Sequence, residues 1–136
     1  MSTVCEKDLA LIEEAREIIA RRFRQNYHHV GAALRTRSGK VFRGVHLEAT
    51  VGRVAVCAEA TAMGVAATEG DMDVEMIVAV DREGGIISPC GLCRELISDY
   101  APDCEVIVPG NNGPEVVSIQ KLIPRKYRKR QRKDPK

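Results

Sequence analysis

The 136-residue chain has no tryptophan, two phenylalanines and three tyrosines. Phe23, Phe42, Tyr27, Tyr100 and Tyr127 are too few to build the stacking platform on which single-stranded nucleic acid is usually held. The chain also lacks any apolar run near the ~20 residues needed to cross a bilayer, so no membrane partner is expected. Its opening stretch, MSTVCEKDLALIEEAREI, is acidic and has no basic segment ahead of an apolar one, unlike a secretory leader. A reducing, cytoplasmic setting is therefore expected. The five cysteines should then be thiols or metal ligands, and their odd number also argues against a closed disulfide framework.

A strong excess of one charge is missing as well: 21 Lys and Arg stand against 19 Asp and Glu, a net of +2. The total hides a split. Residues 1–124 carry 13 basic and 18 acidic side chains, whereas residues 125–136 carry 8 basic and one acidic. An acidic body of net −5 thus ends in a basic tail of net +7. This is not the even basicity of a nucleic-acid-binding domain, although Arg125–Lys136 is the one place where phosphates could be engaged. With 44% apolar and 29% charged residues the body has the composition of a globular protein, and its length suits one domain.

Periodicity supplies the elements. Leu9, Ile12, Ala15, Ile19 and Phe23 recur at helical steps and predict an amphipathic helix over 6–25. Gly31–Leu34 and Val41–Leu47 flank a Gly39-containing turn and predict a hairpin. The Ala-, Val- and Met-rich stretch 53–68 predicts a buried helix closed by Gly70. Met76–Val80 and Cys104–Val108 read as strands covered on both faces. Cys90–Tyr100 reads as a second buried-face helix and Pro109–Pro114 as a loop. Glu115–Ile119 reads as a short strand, followed by a helical turn stopped by Pro124. The order α-β-β-α-β-α-β predicts an α/β fold in which helices cover a mixed sheet.

The chemistry concentrates in two short segments. Cys57-Ala58-Glu59 falls in the predicted central helix, and Pro89-Cys90-Gly91-Leu92-Cys93 lies 33 residues later at a strand-to-helix junction. A C-x-x-C pair at a helix start lets two sulfurs reach one ion, and the helix N-terminus favours thiolate. Cys57 can add a third. Three protein ligands leave a tetrahedral Zn²⁺ one open position, the catalytic arrangement, and Glu59 can then shuttle a proton. The pair alone would also suit a redox motif or half of a structural zinc knot. A redox motif does not need Cys57-Ala58-Glu59, and a structural site wants a fourth ligand. Cys104, in a predicted buried strand, and Cys5, near the N-terminus, are poor candidates for that fourth ligand.

With Cys57-Ala58-Glu59 followed by Pro89-Cys90-x-x-Cys93, the chain resembles the cytidine deaminase family. Val30–Leu34, Gly44–Glu48, Ser88–Arg94 and Leu122-Ile123-Pro124-x-x-Tyr127 are similar to its further segments. The resemblance implies a three-layer α/β/α fold with a mixed five-stranded sheet over residues 1–127, and a basic, disordered tail over 128–136. It implies one Zn²⁺ per subunit on Cys57, Cys90 and Cys93, with Glu59 as the proton carrier. It further implies recognition of a nucleoside base by the Ala58 backbone, and a homotetramer or homodimer whose subunits share active sites. Arg94 and Arg53 are candidates to draw charge off the thiolates. His46, Glu48, His28 and Tyr127 are candidate substrate contacts. The chain departs from the family's Asn-x-Glu-Asn sugar segment, reading His46-Leu47-Glu48-Ala49, and carries Ala60 where an arginine is common. The implied activity is hydrolytic deamination of cytidine or deoxycytidine. A nucleoside analogue such as blasticidin S is the alternative, and an editing role using the tail is the least favoured.

Overall fold

The computed structural model describes residues 2–129. Strand β1 (Ser2–Thr3) precedes helix α1 (Glu6–Arg22), then β2 (Val30–Thr36) and β3 (Val41–Val45). Helix α2 (Ala58–Thr68), β4 (Val74–Asp81), β5 (Ile86–Ile87) and α3 (Gly91–Tyr100) follow. Strands β6 (Glu105–Gly110) and β7 (Gly113–Ser118) and a single turn, α4 (Ile119–Leu122), complete the fold. The sheet order is β1-β7-β6-β4-β2-β3, with β5 pairing β4. Only β4 and β6 run parallel. Five of these strands are of normal length, in line with the expected sheet, and the two extra ones are two-residue additions at its margins.

Both faces of the sheet are covered, which gives the three layers. On one face α1 buries Leu11, Ile12, Ala15 and Ile19 against Ala33, Met76, Val78, Val80 and Ile107. On the other, Ala58, Ala62, Met63 and Ala66 of α2, with Cys93 and Ile97 of α3, pack on Ala32, Leu34, Ile77, Ala79 and Val106. Two glycines permit this closeness. A Cβ on Gly31 would stand 2.7 Å from the Ala15 carbonyl oxygen of α1, and one on Gly44 would stand 2.5 Å from the Ala62 nitrogen of α2. Any larger residue at Gly44 would push α2, and with it Cys57 and Glu59, off the sheet.

Three of the departures from the expected boundaries have a clear local reason. Helix α1 stops at Arg22 because Phe23 turns to extended backbone (ψ 134°) and Asn26 adopts φ 70° to reverse the chain. Helix α2 starts at Ala58 rather than residue 53. Residues Gly52–Val54 form a separate 3₁₀ turn, and Cys57 is the N-cap in extended conformation. Pro109 and Pro114 do not sit in a loop. They face each other in the β6–β7 ladder, which continues to Gly110 and Gly113.

Candidate active site

The site forms where the start of β2, β5 and the two helix starts converge. Cys57 and Cys90 are the N-caps of α2 and α3, so both sulfurs lie at the positive ends of multi-turn helices. Cys93, one turn into α3, is 2% exposed and points back at the same spot. The three sulfurs lie within 4.8 Å of one another, and Cys57 Sγ to Cys90 Sγ is 3.5 Å. Sulfurs about 2.3 Å from one tetrahedral Zn²⁺ would stand about 3.8 Å apart, so this donor set fits the ion. Glu59 is 5% exposed, and the Cys93 thiol donates to its Oε1 at 3.6 Å.

Burial and mutual proximity set the electrostatics of the cluster. Burial pushes the Cys57 and Cys93 thiols up, with Glu59 and Cys90 adding to it in both, while the Cys93 thiol opposes the rise at Cys57. Burial also acts on Cys90, but the backbone N–H groups of Cys93 and Leu92 and the adjacent thiols outweigh it and hold Cys90 below the usual thiol range. Glu59 is pushed above the usual carboxyl range chiefly by burial, its own backbone and the Cys93 thiol opposing. Among the described residues no lysine or arginine bonds a sulfur or Glu59. Cys104 is a different case: it lies in the core away from the cluster, and burial pushes its thiol up to about 12.

A cavity of about 130 Å³ opens beside the thiols, lined by Val30, His46, Cys57, Ala58, Glu59, Ile87, Ser88 and Cys90. The structure therefore brings His46 and Ala58 to the thiols. His28 is one step back, its Nδ1 bonded to the His46 carbonyl at 2.8 Å, and Glu48 Oε2 lies 3.5 Å from His46 Nε2. Arg94 sits beside the site but donates to two carbonyls, Pro89 O at 2.8 Å and Leu122 O at 3.0 Å. It thereby ties the second zinc segment to the C-terminal turn. Arg53 is exposed on the 3₁₀ turn. Tyr127 is 76% exposed and lines a groove with Glu95, Asp99 and Lys126, away from its own chain's pocket. Of the basic tail, Arg128 and Lys129 are coil, and residues 130–136 lie outside those described. Ile87, an apolar wall of the pocket, belongs to no motif, and only the apolar pair Ile86-Ile87 after Gly84-Gly85 marks it in the sequence.

A family model described as the cytidine and deoxycytidylate deaminase zinc-binding region matches residues 5–108. The chain is 48% identical over 132 residues to a blasticidin-S deaminase from Bacillus cereus, covering 91% of this chain and 94% of the relative. It is 33% identical over 97 residues to a cytidine deaminase from Halalkalibacterium halodurans, covering 70% and 74%. Among solved structures, a cytidine deaminase from Burkholderia pseudomallei superposes with a TM-score of 0.75 at 31% identity, covering 91% of this chain and all of that one. One from Mycobacterium leprae gives 0.77 at 25% identity, covering 90% and 100%. No helix among the described residues is long and apolar enough to cross a membrane.

Proposed function

The chain belongs to the cytidine and deoxycytidylate deaminase zinc-binding family and is a zinc-dependent hydrolytic deaminase, and from that premise we propose that it converts a cytidine-type nucleoside to the uridine form with release of ammonia. One observation carries the reading: a buried carboxyl, Glu59, shares a small pocket with three convergent thiols.

Cys57, Cys90 and Cys93 would hold the metal. When bound, Zn²⁺ supplies Lewis-acid charge and brings the pKa of water toward neutrality. Glu59 takes a proton from the attacking water at a carboxylate oxygen and passes it to the ring nitrogen of the base. It then serves the departing amino group, so that one C–N bond breaks, one C–O bond forms, and NH₃ leaves. Burial holds the Glu59 carboxyl above the usual carboxyl range, which favours its holding a proton between one transfer and the next. The buried Ala58 lines the cavity on the first turn of α2 and offers its backbone to the base. His46 and Glu48 face the remainder of the substrate.

A second reading, blasticidin S as substrate, is favoured by the 48% identity to a protein of that name and by His46 and Ala49 in the sugar segment. Ammonia release with cytidine, deoxycytidine and blasticidin S, compared as kcat/KM, decides between the two. A preference for blasticidin S by tenfold or more would replace the first.

The protein acts as a homotetramer or homodimer in the cytoplasm. Exposed Leu47, Val51, Val54 and Leu92 on segments bordering the pocket, and Tyr127 turned away from its own pocket, support sites completed by a neighbouring subunit. The catalytic unit spans 1–127. Removing residues 128–136 leaves deamination intact, and a salt-dependent loss of RNA or DNA binding on that deletion would favour the editing role instead.

A further inference from the structure

Three histidines meet at the edge of the pocket, and their hydrogen bonds determine where each ring carries its proton. The β2–β3 ladder continues past β3, with His46 N–H donating to Val30 O at 2.9 Å, which sets His46 beside the residues entering β2. The backbone N–H of His29 points at His46 Nδ1, 3.1 Å away. A backbone N–H only donates, so Nδ1 of His46 holds a lone pair and the neutral ring carries its proton on Nε2. The same rule applies to the other rings. His29 Nε2 accepts from the Asn26 N–H at 2.8 Å, which places the His29 proton on Nδ1. His28 Nδ1 faces the His46 carbonyl at 2.8 Å, and a carbonyl only accepts, so His28 also carries Nδ1–H. The His29 and His46 rings meet edge to face, 5.6 Å apart at 82°, and Phe23 packs on the far side of His29.

We propose that His28 and His29 are positioning residues that hold His46 as a fixed Nε2–H donor, which makes His46 the residue that sets specificity at this end of the pocket. Both anchors act on His46 from the β2 side. His29 engages the ring and His28 the carbonyl, so neither χ angle nor backbone is left free to turn. The result is a directed donor 3.5 Å from an acceptor, Glu48 Oε2, whose partner oxygen Oε1 accepts from the Ala49 N–H at 3.0 Å. A short amide at position 46 offers a donor and an acceptor and can flip; this imidazole offers the donor alone. The substrate must therefore bring an oxygen that accepts at that point, and one hydroxyl can satisfy both groups by accepting from His46 and donating to Glu48. The inference rests on the deaminase reading above for the identity of the pocket, but not for the proton positions.

The first test needs no substrate. Two-bond ¹H–¹⁵N spectra of the zinc-loaded, ¹⁵N-labelled protein should show Nε2–H for His46 and Nδ1–H for His28 and His29. A proton on His46 Nδ1 overturns the proposal whether or not the protein deaminates anything. The second test uses cytidine turnover. His46→Leu should raise KM about tenfold while kcat stays within about threefold, and His46→Gln, which sets an amide nitrogen near the Nε2 position, should recover most of the loss. His28→Phe should raise KM about threefold and His28→Asn, which restores a donor near Nδ1, should reverse it. Unchanged KM in His46→Leu, or equal losses for the paired variants, contradicts the assignment. No turnover of any nucleoside by the unaltered protein would overturn the function proposed above while leaving the spectra to judge the histidines.

Discussion

At one end of β2, Arg35 reaches Asp8 of α1 at 3.3 Å and Glu75 of β4 at 2.5 Å, a guanidinium whose side chain is 12% exposed between two carboxylates. At the other end, beside Val30, three thiols and a buried carboxyl converge with no cation of this chain bonded to them. Both clusters bury ionisable groups on the same sheet. The first is compensated internally: burial disfavours the Arg35 charge, but Glu75 and then Asp8 outweigh it. Among the described residues the second has no such partner, and the proposed Zn²⁺ would supply the charge. The difference separates a structural ion cluster from a reactive one, because a self-consistent chain pairs its buried charges unless function needs them open. Cavity size does not make this distinction. The roomier space, about 400 Å³, lies at the Arg35 end, among Arg35, Arg37 and Glu75.

The comparison can be broken at either end, and the largest effects belong to the thiols. Cys90→Ala should leave the protein without bound zinc and without measurable ammonia release, as metal analysis and a coupled assay will show; a fully active, metal-free variant would refute the site. Removing the proposed proton carrier with Glu59→Gln should lower kcat about 10²–10⁴-fold at full zinc content. At the opposite end the effect should be on stability alone. Arg35→Met strands Asp8 and Glu75, and denaturant unfolding should show a loss of about 3 kcal/mol with kcat per folded molecule unchanged. Arg94→Gln lies between the two, because it cuts the Pro89 and Leu122 carbonyl bonds that hold the second zinc segment. Zinc affinity measured by chelator competition should fall about tenfold.

The smallest effect sits in a network of the compensated kind. Asp71 accepts from Ser38 Oγ and Thr36 Oγ1, each at 2.8 Å, and these bonds hold its carboxyl below the usual range. A depressed carboxyl contributes stability that is present above its unfolded value and lost as pH falls through its folded one. Asp71→Asn should therefore be less stable than the parent at neutral pH, with the gap closing as acid protonates Asp71. A gap that is constant down to pH 2 would show that the carboxylate charge is not the cause.

How much of this could be read beforehand follows the range of each interaction. Cys57, Glu59, Cys90 and Cys93 announce themselves because the chemistry needs fixed short spacings, two residues in one segment and three in the other. The apolar runs likewise marked β4, β6 and both large helices. The Arg35 cluster was not legible: its members come from α1, β2 and β4, separated by 27 and 40 residues, and only pairing of β2 with β4 brings them together. The histidine arrangement was half legible. His46 stood out as a departure and His28 as a candidate contact, but His29 acts through its backbone N–H, which carries no sequence signature. The β6–β7 hairpin was hidden by Pro109 and Pro114, whose missing N–H groups read as a loop until their cross-strand pairing is seen.

The central claim is that the uncompensated end works as a unit, thiols holding the metal and Glu59 moving the proton. Zinc content and ammonia release measured together on Glu59→Gln test it most directly. The account predicts one zinc per chain, as in the parent, with turnover of cytidine and blasticidin S reduced by at least about 10². A variant that keeps its zinc and deaminates either compound at the parental rate would contradict it.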